Sequence, residues 1–192
     1  IFMAANALNS GIAFSTLGRR AAAPTIARLM TSALENPKLL SLAAGFTDNR
    51  SLPAKAVRAG VEKLTAIGAD PEVLQYGLNQ GRLGLRRLLA ARLAAQDGGG
   101  TVERLASQMM VTNGSQQALY LAIQVLCDPG DIVLVDRPSY FVFLEMLRGL
   151  GVRPLSLPTS SDGALDLAAL RPWLRRLRAT PDGARVKALY FV

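Results

Sequence analysis

Between Met109 and Leu119 the sequence reads Met109-Met110-Val111-Thr112-Asn113-Gly114-Ser115-Gln116-Gln117-Ala118-Leu119, and that order of residue types suits the capture of an anion. Four apolar or β-branched residues run into Asn113-Gly114, a pair that tolerates left-handed backbone angles, and a helix is predicted to open at Ser115. The first amides of a helix have no acceptor inside it, and they point the same way as the positive end of the helix dipole. A phosphate placed there gains about 0.3–2 kcal/mol from the dipole alone. A capped helix that binds nothing carries the same local pattern, so the turn by itself leaves both readings open.

Asp136-Arg137-Pro138-Ser139-Tyr140 forms a second turn after an apolar run, and the elements around the two turns decide whether they meet. Strands are predicted at 109–112, 132–136, 152–157 and 186–192, with helices starting near 115, 139 and 166. Asp128-Pro129-Gly130-Asp131 supplies the turn into the second strand. Alternating strands and helices imply an α/β fold, a mostly parallel sheet flanked by helices on both faces in three layers. Such sheets bind ligands beyond the carboxyl ends of their strands, and both turns leave strands at that end, so one ligand can touch both. Ahead of this region, helical spacing runs from Pro24 to about Leu34, and Pro53 starts a helix with Val57, Val61 and Leu64. Gln75 to Gly81 reads as a loop, and Leu85, Leu88, Leu89 and Leu93 read as the apolar face of a helix that Gly98-Gly99-Gly100 ends.

Composition narrows the chemistry. The chain has 192 residues, half of them hydrophobic, which is ample for a core. It contains no histidine, so His-dependent triads and His-ligated metal sites are not available within it, and no metal is expected. Its one cysteine, Cys127, has no internal disulfide partner and lies in an apolar helical run, as buried filler does. The net charge of +8 is arginine-driven and scattered at helical spacing, in Arg19-Arg20, Arg86-Arg87 and the run Arg171 to Arg178. That pattern fits solvated helix faces, and neither a nucleic-acid nor a membrane partner is expected. No apolar run approaches the ~20 residues that cross a bilayer and no signal peptide is evident, so a cytoplasmic location is expected. The chain opens without methionine and stops inside an apolar, strand-like run, and is read as a fragment whose isolated form is poorly soluble.

Leu42-Ala43-Ala44-Gly45, Leu74-Gln75-Tyr76-Gly77 through Gly81, Leu85-Arg86, Thr112-Asn113-Gly114-Ser115-Gln116-Gln117-Ala118-Leu119, Asp128-Pro129-Gly130-Asp131 and Pro138-Ser139-Tyr140 occur in that order. In this the chain, from about Phe14 onward, resembles the class I/II aminotransferases, pyridoxal-phosphate enzymes of fold type I. It is most similar to the branch of aromatic, 2-aminoadipate and related broad-specificity enzymes. The resemblance implies pyridoxal 5'-phosphate as cofactor, held by the amides of Ser115 and Gln116 after Gly114, with Tyr140 against the pyridine ring. It implies that Tyr76 reaches across a homodimer interface to the neighbouring phosphate, and that Gly45 lets backbone approach the substrate's α-carboxylate. It further implies that residues 1–52 are a small-domain and dimer-contact segment, and that 53–192 are the N-terminal part of the large cofactor domain.

The reaction implied moves an amino group between an amino acid and a 2-oxo acid, with the cofactor as electron sink. In relatives the Schiff-base lysine, the aspartate on the pyridine nitrogen and the carboxylate-binding arginine all follow the strand at which this sequence stops. The lysine is therefore expected beyond Val192, and no catalytic residue is assigned within the chain. Two other readings stay open. One is a fold-type-I lyase or decarboxylase, since a phosphate site and a stacking ring do not select which α-bond breaks. The other is the effector domain of a cofactor-sensing transcriptional regulator, which a basic helix-turn-helix ahead of residue 1 would mark. A noncatalytic nucleotide-binding module is disfavoured, because the turn after 109–112 lacks G-x-G-x-x-G.

Overall fold

The computed structural model describes residues 13–20, 25–36, 38–40, 47–66, 68 and 70–192. These fall into two compact units, one made of residues up to 39 together with 113–192, the other of 40–112. In chain order the elements are α1 (Thr16–Arg20), α2 (Thr25–Glu35), α3 (Ala54–Thr65), α4 (Leu83–Asp97), α5 (Val102–Ser107), α6 (Gly114–Leu126), β1 (Ile132–Val135), α7 (Phe141–Leu150), β2 (Arg153–Ser156), α8 (Leu167–Arg178) and β3 (Val186–Tyr190).

The first unit is built on a parallel sheet of order β2-β1-β3. β1 lies in the middle because Ile132-Val133-Leu134-Val135 is apolar on both faces, and all four residues are buried. Val133 and Val135 pack with Ile123 of α6 and Phe143 and Leu147 of α7 on one face. On the other, Ile132 and Leu134 meet Leu157, with Leu170, Trp173, Leu174 and Leu177 of α8 over them. Helices thus cover both faces of a parallel sheet, as the alternating pattern predicts. The chain leaves β1 toward β2 through α7 and returns through α8, on the opposite face, to β3 on the other side of β1. Asp166 caps α8 by accepting the Ala169 amide at 2.9 Å, which explains why that helix starts where the sequence indicates.

β2 is an edge strand, and Pro154, which has no N–H, sits in it opposite Val133. Its first residue, Arg153, makes a two-pronged pair with Asp182, at 2.9 and 3.0 Å. Arg153 holds the Asp182 carboxyl below its ordinary value of 3.8, chiefly through those hydrogen bonds. A depressed carboxyl contributes stability that is present above its unfolded value and is lost as pH falls through the folded one. Asp182→Asn is therefore expected to lower the urea midpoint slightly near neutrality, with the gap to wild type closing below about pH 4. A gap that persists unchanged in acid would show that the pair contributes nothing.

Three expectations change in the second unit. Residues 109–112 form no strand: Val111 donates to the Gln80 carbonyl at 2.9 Å, and no described segment runs beside it as a ladder. β-propensity alone does not make a strand, because the ladder needs a neighbour. The helix α5 stands ahead of that segment, where no element is predicted, started by Thr101, whose hydroxyl accepts the Arg104 amide at 3.3 Å. In α4 the expected leucine face is largely exposed, Leu88 at 72%, and the buried pair is Arg86 and Ala90, one turn apart.

Candidate functional site

Gly114 begins α6 with φ +77°, a left-handed angle that glycine reaches without steric cost, and the space where a Cβ would stand is open. Asn113, the residue before it, makes no side-chain cap. Its amide instead donates to Gln117 Oε1 at 2.6 Å, so a glutamine from the next turn folds back over the helix start. The amides of Ser115 and Gln116 belong to the first turn, where a helix offers them no acceptor. A glycine-opened approach, amides aligned with the helix dipole and uncharged neighbours form an anion-accepting turn, and a phosphate monoester fits it on those grounds.

Tyr140 stands at the other side of this turn. It precedes α7, where its carbonyl accepts the Phe143 and Leu144 amides at 3.0 and 3.2 Å, which fixes its backbone. Its ring is half-buried against the β1 core and lies 5.4 Å from the Phe141 ring, and its hydroxyl accepts Gln116 Nε2 at 3.2 Å. The two turns singled out in the sequence are thus joined directly.

Beneath Tyr140 the carboxyl ends of β1 and β3 are tied by Asp136. Its Oδ2 accepts the Val192 amide at 2.9 Å, and its own amide donates to the Tyr190 carbonyl at 3.4 Å. Asp136 Oδ1 and Ser139 Oγ are buried without hydrogen-bond partners, polar atoms left over at the same end of the sheet. The Tyr190 ring stacks on Phe143 with centroids 3.9 Å apart. Burial, then the nearby Asp136 carboxylate and Tyr140, push the Tyr190 phenol upward, so it stays protonated and serves as a neutral floor. Cys127 ends α6, and burial, followed by Asp131, raises its thiol, which disfavours the nucleophilic thiolate. Lys187 lies at the opposite, amino end of the sheet, 3.9 Å from Asp131.

Of the other residues named from the sequence, Gly45 lies outside the described residues. Tyr76 belongs to the second unit and is 97% exposed in a loop. Arg82 braces that loop by donating to the carbonyls of Glu72 and of Gln75, the latter at 2.8 Å. Exposure of so large an aromatic leaves its hydroxyl available to a second molecule. Sequence reasoning did not anticipate the Gln116–Tyr140 bond or the Asp136 tie. A carboxylate directly after a buried strand and the glutamine directly after Gly-Ser were the available signals.

The fold and this end of the sheet define a parallel α/β protein with a glycine-opened helix start beside an aromatic ring. The family model for aminotransferase class I and II matches residues 37–191, and the chain belongs to that family. A 2-aminoadipate transaminase of Thermus thermophilus is 32% identical over 166 residues, covering 86% of this chain and 39% of that protein. An uncharacterized HTH-type transcriptional regulator of Escherichia coli is 36% identical over 98 residues, 51% of this chain and 20% of the regulator. The kynurenine aminotransferase of Pyrococcus horikoshii, solved in complex with PMP, superposes with a TM-score of 0.74 at 27% identity, covering 92% of this chain and 42% of that one. The chain therefore spans between 20% and 42% of the length of these proteins.

Proposed function

We propose that this chain is part of a pyridoxal-phosphate-dependent aminotransferase that moves an amino group between an amino acid and a 2-oxo acid. The observation that carries the reading is the open Gly114 turn at the start of α6, joined to the Tyr140 ring at the carboxyl end of a parallel sheet. When bound, pyridoxal phosphate supplies an aldehyde and an electron-withdrawing ring. The amides of Ser115 and Gln116 would hold its phosphate, with Gly114 giving clearance. Tyr140 would cover the ring, contributing about 0.5–1.5 kcal/mol beyond area burial and excluding water from one face. Tyr76 would serve the neighbouring subunit's phosphate in a homodimer, and Gly45 the substrate's α-carboxylate. We read residues 1–52 as a small-domain and dimer-contact segment and 53–192 as part of the large domain, in a cytoplasmic enzyme of amino-acid biosynthesis. Aromatic or 2-aminoadipate-like amino acids are the proposed donors, supported by the 32% identity to the Thermus thermophilus transaminase.

The test is the full-length protein loaded with pyridoxal phosphate and offered those amino acids with 2-oxoglutarate. Glutamate and the matching keto acid are expected in equal amounts. Release of carbon dioxide or ammonia without glutamate would replace this reading with the lyase or decarboxylase one. The regulator reading is favoured by one observation, the 36% identity to the Escherichia coli regulator. Cofactor binding with no turnover of any donor, together with retention of a DNA duplex, would select it.

A further inference from the structure

We propose that the side-chain amide of Gln116 is a positioning group for the covering ring: it ties the Tyr140 hydroxyl to the anion-accepting turn, so that filling the turn and fixing the ring plane become one event. The inference rests on the cofactor reading above. Its basis is the hydrogen bond from Gln116 Nε2 to Tyr140 Oη at 3.2 Å, which spans 24 residues of sequence. The adjacent Gln117 has a different task, accepting the Asn113 amide at 2.6 Å, so the two glutamines are not interchangeable. Tyr140 is already held at its backbone by the start of α7, and the remaining freedom is the swing of its side chain. A restraint at the hydroxyl, the atom farthest from the backbone, removes that swing with the least force.

Without a ligand the Gln116–Tyr140 bond is open to solvent, where water competes for both partners and the net gain is small. A flat ligand lying on Tyr140 excludes that water, and the same bond becomes stronger in the lower dielectric. The bond therefore contributes to ligand affinity and ring orientation and little to the stability of the empty protein. Gln116 thus acts twice, its backbone amide on the anion and its side chain on the ring.

The test uses the full-length protein. Gln116→Met keeps the backbone amide and the side-chain length and deletes the donor; Tyr140→Phe keeps the ring and deletes the acceptor. Each is expected to weaken pyridoxal-phosphate binding by about 3–10-fold, in line with one desolvated hydrogen bond. Each is also expected to diminish the visible circular dichroism of the bound cofactor. The double variant loses no more affinity than the weaker single one, because both remove one interaction. Thermal midpoints of the cofactor-free proteins stay within about 2 °C of wild type, which a purely structural role would not allow. Additive losses in the double variant, or an unchanged cofactor dichroism in both singles, would overturn the proposal while leaving the cofactor reading intact. A wild-type protein that binds neither pyridoxal phosphate nor inorganic phosphate overturns both.

Discussion

Gly114→Asp is expected to weaken pyridoxal-phosphate binding by about 100-fold or more, measured by titrating cofactor into the full-length protein and following its absorbance. Two effects combine. A side chain at φ +77° is strained by roughly 1–2 kcal/mol, a cost borne mainly by the fold. The new carboxylate then projects into the clearance where the phosphate is proposed to lie, and two negative charges ~5 Å apart repel by about 3 kcal/mol at the dielectric of a protein surface. Gly114→Ala separates the two: it carries the backbone strain without the charge and is expected to weaken binding by less than about 10-fold. Comparable affinities for Gly114→Asp and wild type would remove this turn from the cofactor site.

Arg86→Leu is expected to destabilise the second unit by about 3 kcal/mol, seen as a lower urea midpoint with an unchanged slope. The Arg86 residue is 4% exposed, and its guanidinium donates to three oxygens. These are the Gly81 carbonyl at 3.1 Å, Gln80 Oε1 at 3.1 Å and the Ala106 carbonyl at 2.8 Å. One guanidinium thereby joins the loop before α4 to the end of α5. Leucine fills part of the volume but strands the buried Ala106 carbonyl and weakens the partly buried Gly81 one, and a buried acceptor without a partner costs roughly 1–3 kcal/mol. Gly81 tightens the same corner, since a Cβ there would meet Val111 Cβ at 2.8 Å. Arg86→Lys restores charge but not the fork and is expected to recover less than half of the loss.

Much of the first unit could be read from the chain because its signals are local and agree. Ile132-Val133-Leu134-Val135 between Asp128-Pro129-Gly130-Asp131 and Pro138 admits few structures besides a buried strand, and Asp166 announces α8 through its cap. The glycine-opened start of α6 was legible for the same reason, as Asn113-Gly114 before an apolar helix is a local pattern. What escaped the sequence depends on partners distant along the chain. Met109 to Thr112 has the composition of a strand but finds no ladder, and its contact is the Gln80 carbonyl. Arg86 reads as a solvated charge until the loop and α5 enclose it. The leucines of α4 have helical spacing, yet spacing states only that a face exists, and Leu88 at 72% exposure shows that burial follows the neighbours. Gln116 and Tyr140 were each legible as a type of residue, but their meeting required the geometry of β1, α6 and α7 together.

Pro154 gives the sheet a direction of growth. On the β2 side the missing N–H and the Arg153–Asp182 clasp leave a poor template for another backbone, whereas the outer edge of β3 carries no proline and has no described strand beside it, with Leu189 55% exposed. Any additional strand, from this chain or from another molecule, is therefore steered to one flank, next to Tyr190 and the Asp136 tie. A strand added on that flank would lie beside the end of the sheet where we propose the cofactor binds, and a mispaired one would cover that end.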